Sequence, residues 1–168
     1  PVTAARVILT LHDLAFAADP TFHGPTTGLL TERCGAAVAR AEHIICPTRA
    51  TADEAQELFG RDRNSITVIP WGCDHVPHSP GPAPITRPYR LTVGTNEPRK
   101  NHQLLLDSWR ALSAPRPRLV VLGRRGWECD GIVADLLRAV RGEGALWIED
   151  VDDATVFSFM ANALALVY

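Results

Sequence analysis

The densest concentration of reactive side chains is Val93-Gly94-Thr95-Asn96-Glu97-Pro98-Arg99-Lys100-Asn101-His102, which leaves an apolar run and enters a helical pattern. In an open parallel sheet, ligands bind where strands end and helices begin. Gly94 permits close approach of backbone, Pro98 stiffens the turn, and Arg99 and Lys100 set two cations beside the positive end of the following helix. That set suits a diphosphate, with Arg gripping phosphate oxygens as a fork and Lys adding a point charge, roughly 1.5–3 kcal/mol each. The same residues also fit an exposed polar loop in which Glu97 pairs with Arg99 or Lys100.

A second candidate is Thr10-Leu11-His12-Asp13-Leu14, again at the end of an apolar run. His12 could donate to a sugar hydroxyl or a backbone carbonyl, with Asp13 orienting it or capping the next element; a local turn is the competing reading. Gly123-Arg124-Arg125-Gly126-Trp127 fits a second ligand-facing loop or a plain surface turn. His23, His43, His75, His78 and His102 show no metal-ligand spacing, and Glu149-Asp150 with Asp152-Asp153 read as a turn and a helix start. No G-x-G-x-x-G follows the first strand, and there is no phosphate-binding G-x-x-x-x-G-K-[ST] and no G-x-S-x-G. Standard dinucleotide dehydrogenases, P-loop enzymes and serine hydrolases are thereby disfavoured.

These residues need elements to hold them. The chain has 168 residues, 46% hydrophobic and 21% charged, the balance of a globular protein that can hide roughly 70% of its unfolded surface. A formal net charge of -2 argues against a binder of duplex nucleic acid. Short apolar runs alternate with helical patterns, as in βαβ units with a parallel sheet. Strands are expected over 6–11, 43–46, 65–69, 90–93, 119–122, 145–148 and 163–167, mostly continuous in apolar character, as for strands covered on both faces. Leu29, Leu30, Cys34, Ala37, Val38 and Ala41 share one helical face, and Leu104, Leu105, Ser108, Trp109 and Leu112 another. Thr48 or Thr51 caps the helix that Gly60 closes, with Glu54 three residues after Thr51 as in a capping box.

Pro70, Pro77, Pro80, Pro82, Pro84 and Pro88 crowd a stretch without a periodic apolar face. Residues 1–75 therefore read as the C-terminal part of one α/β domain, 76–88 as a Pro-rich interdomain linker, and 89–168 as most of a second domain. The absence of an initial Met and the closing apolar run predict a chain truncated in both domains. Cys34, Cys46, Cys73 and Cys129 have no C-x-x-C spacing and read as reduced, mostly buried thiols of a cytoplasmic chain. No apolar run approaches the roughly 20 residues that span a bilayer.

Taken in order, the sequence resembles the family-4 retaining glycosyltransferases (glycosyl transferases group 1) of the two-domain B-type fold. The likeness lies in Leu11-His12-Asp13-Leu14, in 41–48, in Ile66-Thr67-Val68-Ile69-Pro70-Trp71-Gly72-Cys73-Asp74, in Val93-Gly94-Thr95 through Glu97-Pro98-Arg99-Lys100-Asn101, and in 119–123, 146–153 and 163–168. It implies two Rossmann-like parallel-sheet domains and transfer of a sugar, mannose being one candidate, from a nucleotide-diphosphate-sugar to an acceptor hydroxyl with retention. It implies Arg99 and Lys100, with Gly94, at the donor diphosphate; Thr95, Gly123 and Arg124 as donor-facing; and His12 across the interdomain cleft near the transferred sugar. No cofactor and no metal is implied, since the nucleotide-sugar is a substrate. The acceptor is a saccharide, a lipid-linked or a small molecule, and the full-length enzyme could associate peripherally with a membrane. Two departures stand out: Trp71 replaces the family's Asn before Gly72, and the family's Pro-Ser segment, glycine-rich turn and glutamate pair do not occur. A non-catalytic nucleotide-sugar-binding module, an inert fragment, and a nucleotide-sugar epimerase of the same architecture are the alternatives.

Overall fold

The computed structural model describes residues 5–18 and 27–168, so Pro1, Val2 and His23 lie outside the described residues. The fold is α/β and separates into two compact units, the first running to Cys73 and the second from Asp74 to Tyr168.

In the first unit, β1 (Ile8–Thr10), β2 (His43–Cys46) and β3 (Ile66–Val68) form a parallel sheet in the order β1-β2-β3. Register pairs Ile8 with His43 and Ile44 with Ile66. The strands are connected through helices α1 (Ala15–Ala18), α2 (Thr27–Arg40) and α3 (Arg49–Phe59). Burial here alternates: Ile44 and Cys46 are buried while His43 and Ile45 are partly open. Among the described residues of this unit the core of Leu11, Leu14, Val38, Ala41, Ala52 and Ala55 lies on one face of the sheet, where cover on both was expected. On α2, Val38 is buried and Cys34 and Ala37 partly so, whereas Leu29 and Leu30 are exposed. Thr48 is the cap of α3, its hydroxyl accepting from Thr51 N at 3.1 Å. The third helical position is thus Thr51, so Glu54 takes no part in a capping box. Gly60 closes the helix at φ 63°.

In the second unit, β4 (Tyr89–Val93), β5 (Arg118–Leu122), β6 (Leu146–Ile148) and β7 (Ala165–Leu166) form a parallel sheet ordered β6-β5-β4-β7. Helices α4 (His102–Arg110), α5 (Asp130–Gly142) and α6 (Asp153–Asn162) connect them. Alternate residues of β5 serve two cores, as a two-residue strand period requires. Leu119 and Val121 pack with Leu106, Trp109, Leu136 and Ala139, while Val120 and Leu122 pack with Tyr89, Leu91 and Phe159. Both faces are covered, as expected, and Tyr89 Oη donates to Phe159 O at 2.8 Å. Asp152 caps α6, accepting from Thr155 N at 2.8 Å, so the acidic pair is a helix start.

The expected face of α4 is rotated. His102, Leu106 and Trp109 are the buried stripe, and Leu104 stands 60% exposed. Trp109 Nε1 donates to Pro117 O at 2.8 Å, which settles the rotation of a helix with leucines at three successive positions. Helix α5, in the place where the alternation of strands and helices calls for one, opens after Cys129 without a side-chain cap.

Between Pro70 and Pro88 there is neither helix nor strand, yet its part from Gly81 to Ile85 is held down on the second unit. Ser158 Oγ donates to Pro82 O at 2.5 Å, Asn162 Nδ2 donates to Gly81 O at 3.2 Å, and Ile85 packs on the Tyr89 core. The four cysteines are free thiols, Cys46 and Cys129 buried, Cys34 partly buried and Cys73 exposed.

Candidate functional site

At the carboxyl ends of β4 and β5 two loops run side by side. Gly94 N donates to Leu122 O at 2.9 Å, continuing the ladder, and Asn96 N donates to Arg124 O at 2.8 Å. Gly126 N returns a bond to Asn96 O at 3.0 Å. The side chain of Asn96, fully buried, donates through Nδ2 to Gly123 O and Arg124 O, both at 3.3 Å. Trp147 Nε1 also donates to Gly123 O, at 2.7 Å. This closeness explains the glycine at 123: a Cβ there would stand 1.9 Å from Gly94 O, at a φ of +154° that side chains disfavour. Glu149 secures the same loop by accepting from Arg125 N at 2.9 Å.

Four of the sequence-selected residues meet on one side of this crossing. Gly94, Thr95, Gly123 and Arg124 line a cavity of about 240 Å³ with Val93, Leu122, Asp150, Val151 and Val156. Arg124 is engaged at its mouth, its Nε 2.5 Å from Asp150 Oδ1. Arg99 and Lys100 lie on the other side, sharing a cavity of about 110 Å³ with Thr92, Val93, His102 and Tyr168. They also share one of about 420 Å³ with Leu104, Leu105 and Ser108, the leucines that helical periodicity had assigned to the core. Gly94 links the two sides, since the site of its missing Cβ is 3.6 Å from Lys100 Cε.

The two cations are held differently. Pro98–Lys100 form a single 3-10 turn, after which Asn101 adopts the left-handed conformation at φ 47° and starts α4, its Oδ1 accepting from Leu104 N at 3.4 Å. Arg99 is 43% exposed and Nη2 is 2.8 Å from Glu97 Oε1, the ion pair that the loop reading allowed. Lys100 is partly buried, with Nζ 4.1 Å from the centroid of the Tyr168 ring. Burial, and then repulsion by Arg99, hold its ammonium below the ordinary lysine range, with Glu97 opposing. Burial and Lys100 likewise hold the His102 imidazole below the ordinary histidine range. A dianionic ligand would relieve both shifts.

Behind the site, Arg110 of α4 clamps Asp135 of α5. Its Nη1 and Nη2 donate to Asp135 Oδ2 and Oδ1 at 2.8 and 2.9 Å, while Gln103 Nε2 adds a bond of 2.9 Å to Oδ2. The Asp135 carboxyl is accordingly held well below the carboxylate range, chiefly by Arg110 and then by Gln103.

In the first unit, His12 is exposed just past β1. Asp13 does not orient it; Asp13 Oδ1 accepts from Ala15 N at 3.2 Å and starts α1. The ring beside His12 is Trp71, with centroids 5.0 Å apart and planes 10° from parallel. A cavity of about 600 Å³ lies at the opposite end of this sheet, lined by Ile8 and His43 at the starts of β1 and β2 and by Ser65 just before β3. Ligand sites of parallel sheets belong to the carboxyl ends, so this cavity is no counterpart of the loops described above.

Asn96, Trp147 and Glu149 were not among the residues that the sequence singled out. Their part is to fix loop backbone, and no spacing signal marks a side chain that bonds a carbonyl more than twenty residues away. Among the described residues no cluster of His, Cys, Asp or Glu could hold a metal ion, and no helix is long and apolar enough to cross a membrane.

The model of a family described as Glycosyltransferase Family 4 matches residues 2–77. The chain is also similar, at 26% identity over 182 aligned positions, to the O-antigen chain mannosyltransferase B of Escherichia coli, an alignment covering 100% of this chain and 48% of that protein. The chain thus spans about half the length of the curated relative it matches. Both comparisons support a glycosyltransferase at the level of the family.

Proposed function

We propose that the protein transfers a sugar from a nucleotide-diphosphate-sugar to an acceptor hydroxyl, with retention of anomeric configuration and with the donor diphosphate seated at the end of β4. Mannose is the sugar favoured by the name of the similar Escherichia coli protein. The observation that carries the reading is the partly desolvated Lys100 beside Gly94 and Arg99, where strand, 3-10 turn and helix N-terminus converge.

Transfer breaks the bond between the anomeric carbon and a phosphate oxygen and forms one to the acceptor oxygen, whose proton passes to the departing phosphate, and negative charge gathers on that diphosphate as it leaves. Fixed cations beside that oxygen lower the barrier because they need no reorganisation as the charge develops. Lys100, poorly solvated when the site is free, gains most from a dianion. Arg99 exchanges one carboxylate oxygen of Glu97 for a phosphate fork. Thr95, Gly123 and Arg124 face the rest of the donor, Arg124 releasing Asp150 if it binds phosphate. His12 serves the transferred sugar through its ring nitrogens. The nucleotide-sugar is consumed as substrate, and a saccharide, lipid-linked or small-molecule hydroxyl accepts the sugar.

Arg99→Ala and Lys100→Ala should each lower kcat/KM for the donor about 10- to 150-fold, Arg99 nearer the lower figure because its guanidinium is half in water. Calorimetric titration with UDP, GDP and ADP identifies the base in the same variants. Donor kinetics untouched by both substitutions would remove the diphosphate from this site.

A further inference from the structure

We infer that Trp71 is the positioning residue for His12: the indole, stacked on the imidazole, fixes the plane of the ring assigned above to the transferred sugar. The inference rests on that assignment.

Its basis is how the two residues reach each other. The sheet order puts β1 and β3 on either side of β2. Past the last strand residues, Leu11 N still donates to Ile45 O and Ile69 N to Cys46 O, both at 2.8 Å. Both loops are therefore pinned to the end of β2, and Pro70, with its restricted φ, stiffens the second loop just before the indole. His12 follows the last pinned residue of one loop directly, and Trp71 follows that of the other by two. Their rings meet nearly parallel at 5.0 Å.

Nothing in the stability of the unit accounts for this tryptophan. It is 68% exposed and belongs to no core cluster, and its neighbours Ile45, Ile69 and Pro70 leave a cavity of about 150 Å³ beside it. Among the described residues no hydrogen bond reaches His12, and Asp13 is committed to Ala15 N. An exposed imidazole with no such restraint would sample several rotamers. Stacking restrains it through its faces and leaves both in-plane nitrogens open to a substrate, whereas a carboxylate partner would take one of them. A ring held in advance avoids the entropy of orienting it during reaction.

The test has two arms. In proton–carbon spectra of the chain, the ring signals of His12, assigned by their loss in His12→Asn, should be shifted upfield by the indole. Trp71→Ala should return them to the position of a free histidine, and Trp71→Phe should keep part of the shift. In the transferase assay, Trp71→Ala should lower kcat about tenfold with the KM of donor and acceptor within about twofold of the parent. Trp71→Phe should recover most of the loss, and in a His12→Asn background Trp71→Ala should add nothing. The melting temperature should not move. Unshifted His12 signals in the parent chain, additive effects, or a raised acceptor KM at unchanged kcat, as for an indole that stacks the acceptor itself, would each overturn the inference. If no donor is turned over, the assigned function fails while the ring signals still decide whether Trp71 holds His12.

Discussion

At the ends of β4 and β5 the loops are joined backbone to backbone, with Asn96, Trp147 and Glu149 donating or accepting across them, whereas past β1 the proposed reactive residue is met by one exposed ring. The loops that hold the cations are thus extensions of a sheet buried on both faces, and His12 stands on a sheet whose core, among the described residues, lies on one. A site for a charged group demands that dipoles and cations stay put, because their benefit depends on not having to reorganise. A group that meets substrate from the side needs its plane fixed and its nitrogens free, and a stacked ring does both.

The largest effect should follow from breaking the backbone join. Gly123→Ala places a methyl group against Gly94 O and asks for a φ that alanine disfavours, so a loss of about 3 kcal/mol or more is expected in chemical denaturation, with the diphosphate site lost as well. A variant that melts like the parent and still binds nucleoside diphosphate would mean that the two loops can separate without harm.

Next comes the clamp behind the loops. Asp135→Asn leaves Arg110 with a neutral amide in place of one carboxylate while Glu143 still accepts from its Nε and Nη2 at 2.8 Å, so the cost should be about 2 kcal/mol, within the range for hydrogen bonds to charged groups. The folded state holds the Asp135 proton less tightly than the unfolded chain does. The stabilisation is therefore complete above the unfolded carboxylate pKa of about 3.9 and drains away as the pH falls below it. Denaturation midpoints measured from pH 6 to pH 2 should decline steeply in the parent and less in Asp135→Asn; parallel curves would show that another carboxylate governs the acid limb.

The smallest effect tests the first unit. Thr48→Ala removes the cap of α3 and leaves Thr51 N without its acceptor, for an expected cost of about 1 kcal/mol. Thr48→Ser should restore the parent stability. A loss near that of Gly123→Ala would mean that this unit is as tightly determined as the second, and would erase the contrast between them.

Much of this architecture is legible in the chain itself. The strand His43–Cys46 has the bounds its apolar run predicts, and the glycine, proline and paired cations after Val93 mark the loop that the structure places at the end of β4. Local chemistry suffices there: β-rich apolar runs, a capping hydroxyl at Thr48, a left-handed closure at Gly60. Strand edges were less legible, β1 covering only Ile8–Thr10 of the apolar run expected from residue 6 to 11, although single hydrogen bonds at Val7 O and Leu11 N carry its contact with the β2 segment one residue further at each end.

What tertiary structure alone decided is which way side chains face and what they touch. Leu104, Leu105 and Leu106 offer several helical faces of similar hydrophobicity, and the bond from Trp109 to Pro117 O selects the one that buries Leu106. The sequence presents Gly94 and Gly123 as two loop glycines, but only the adjacency of β4 and β5 brings their backbones so close that a side chain at 123 has no room. Trp71 and His12 lie far apart along the chain and neighbour each other because β2 stands between β1 and β3 and its hydrogen bonds carry both loops past its end. Periodicity and turn chemistry act over a few residues, whereas these contacts depend on strand order and register, which are properties of the whole sheet.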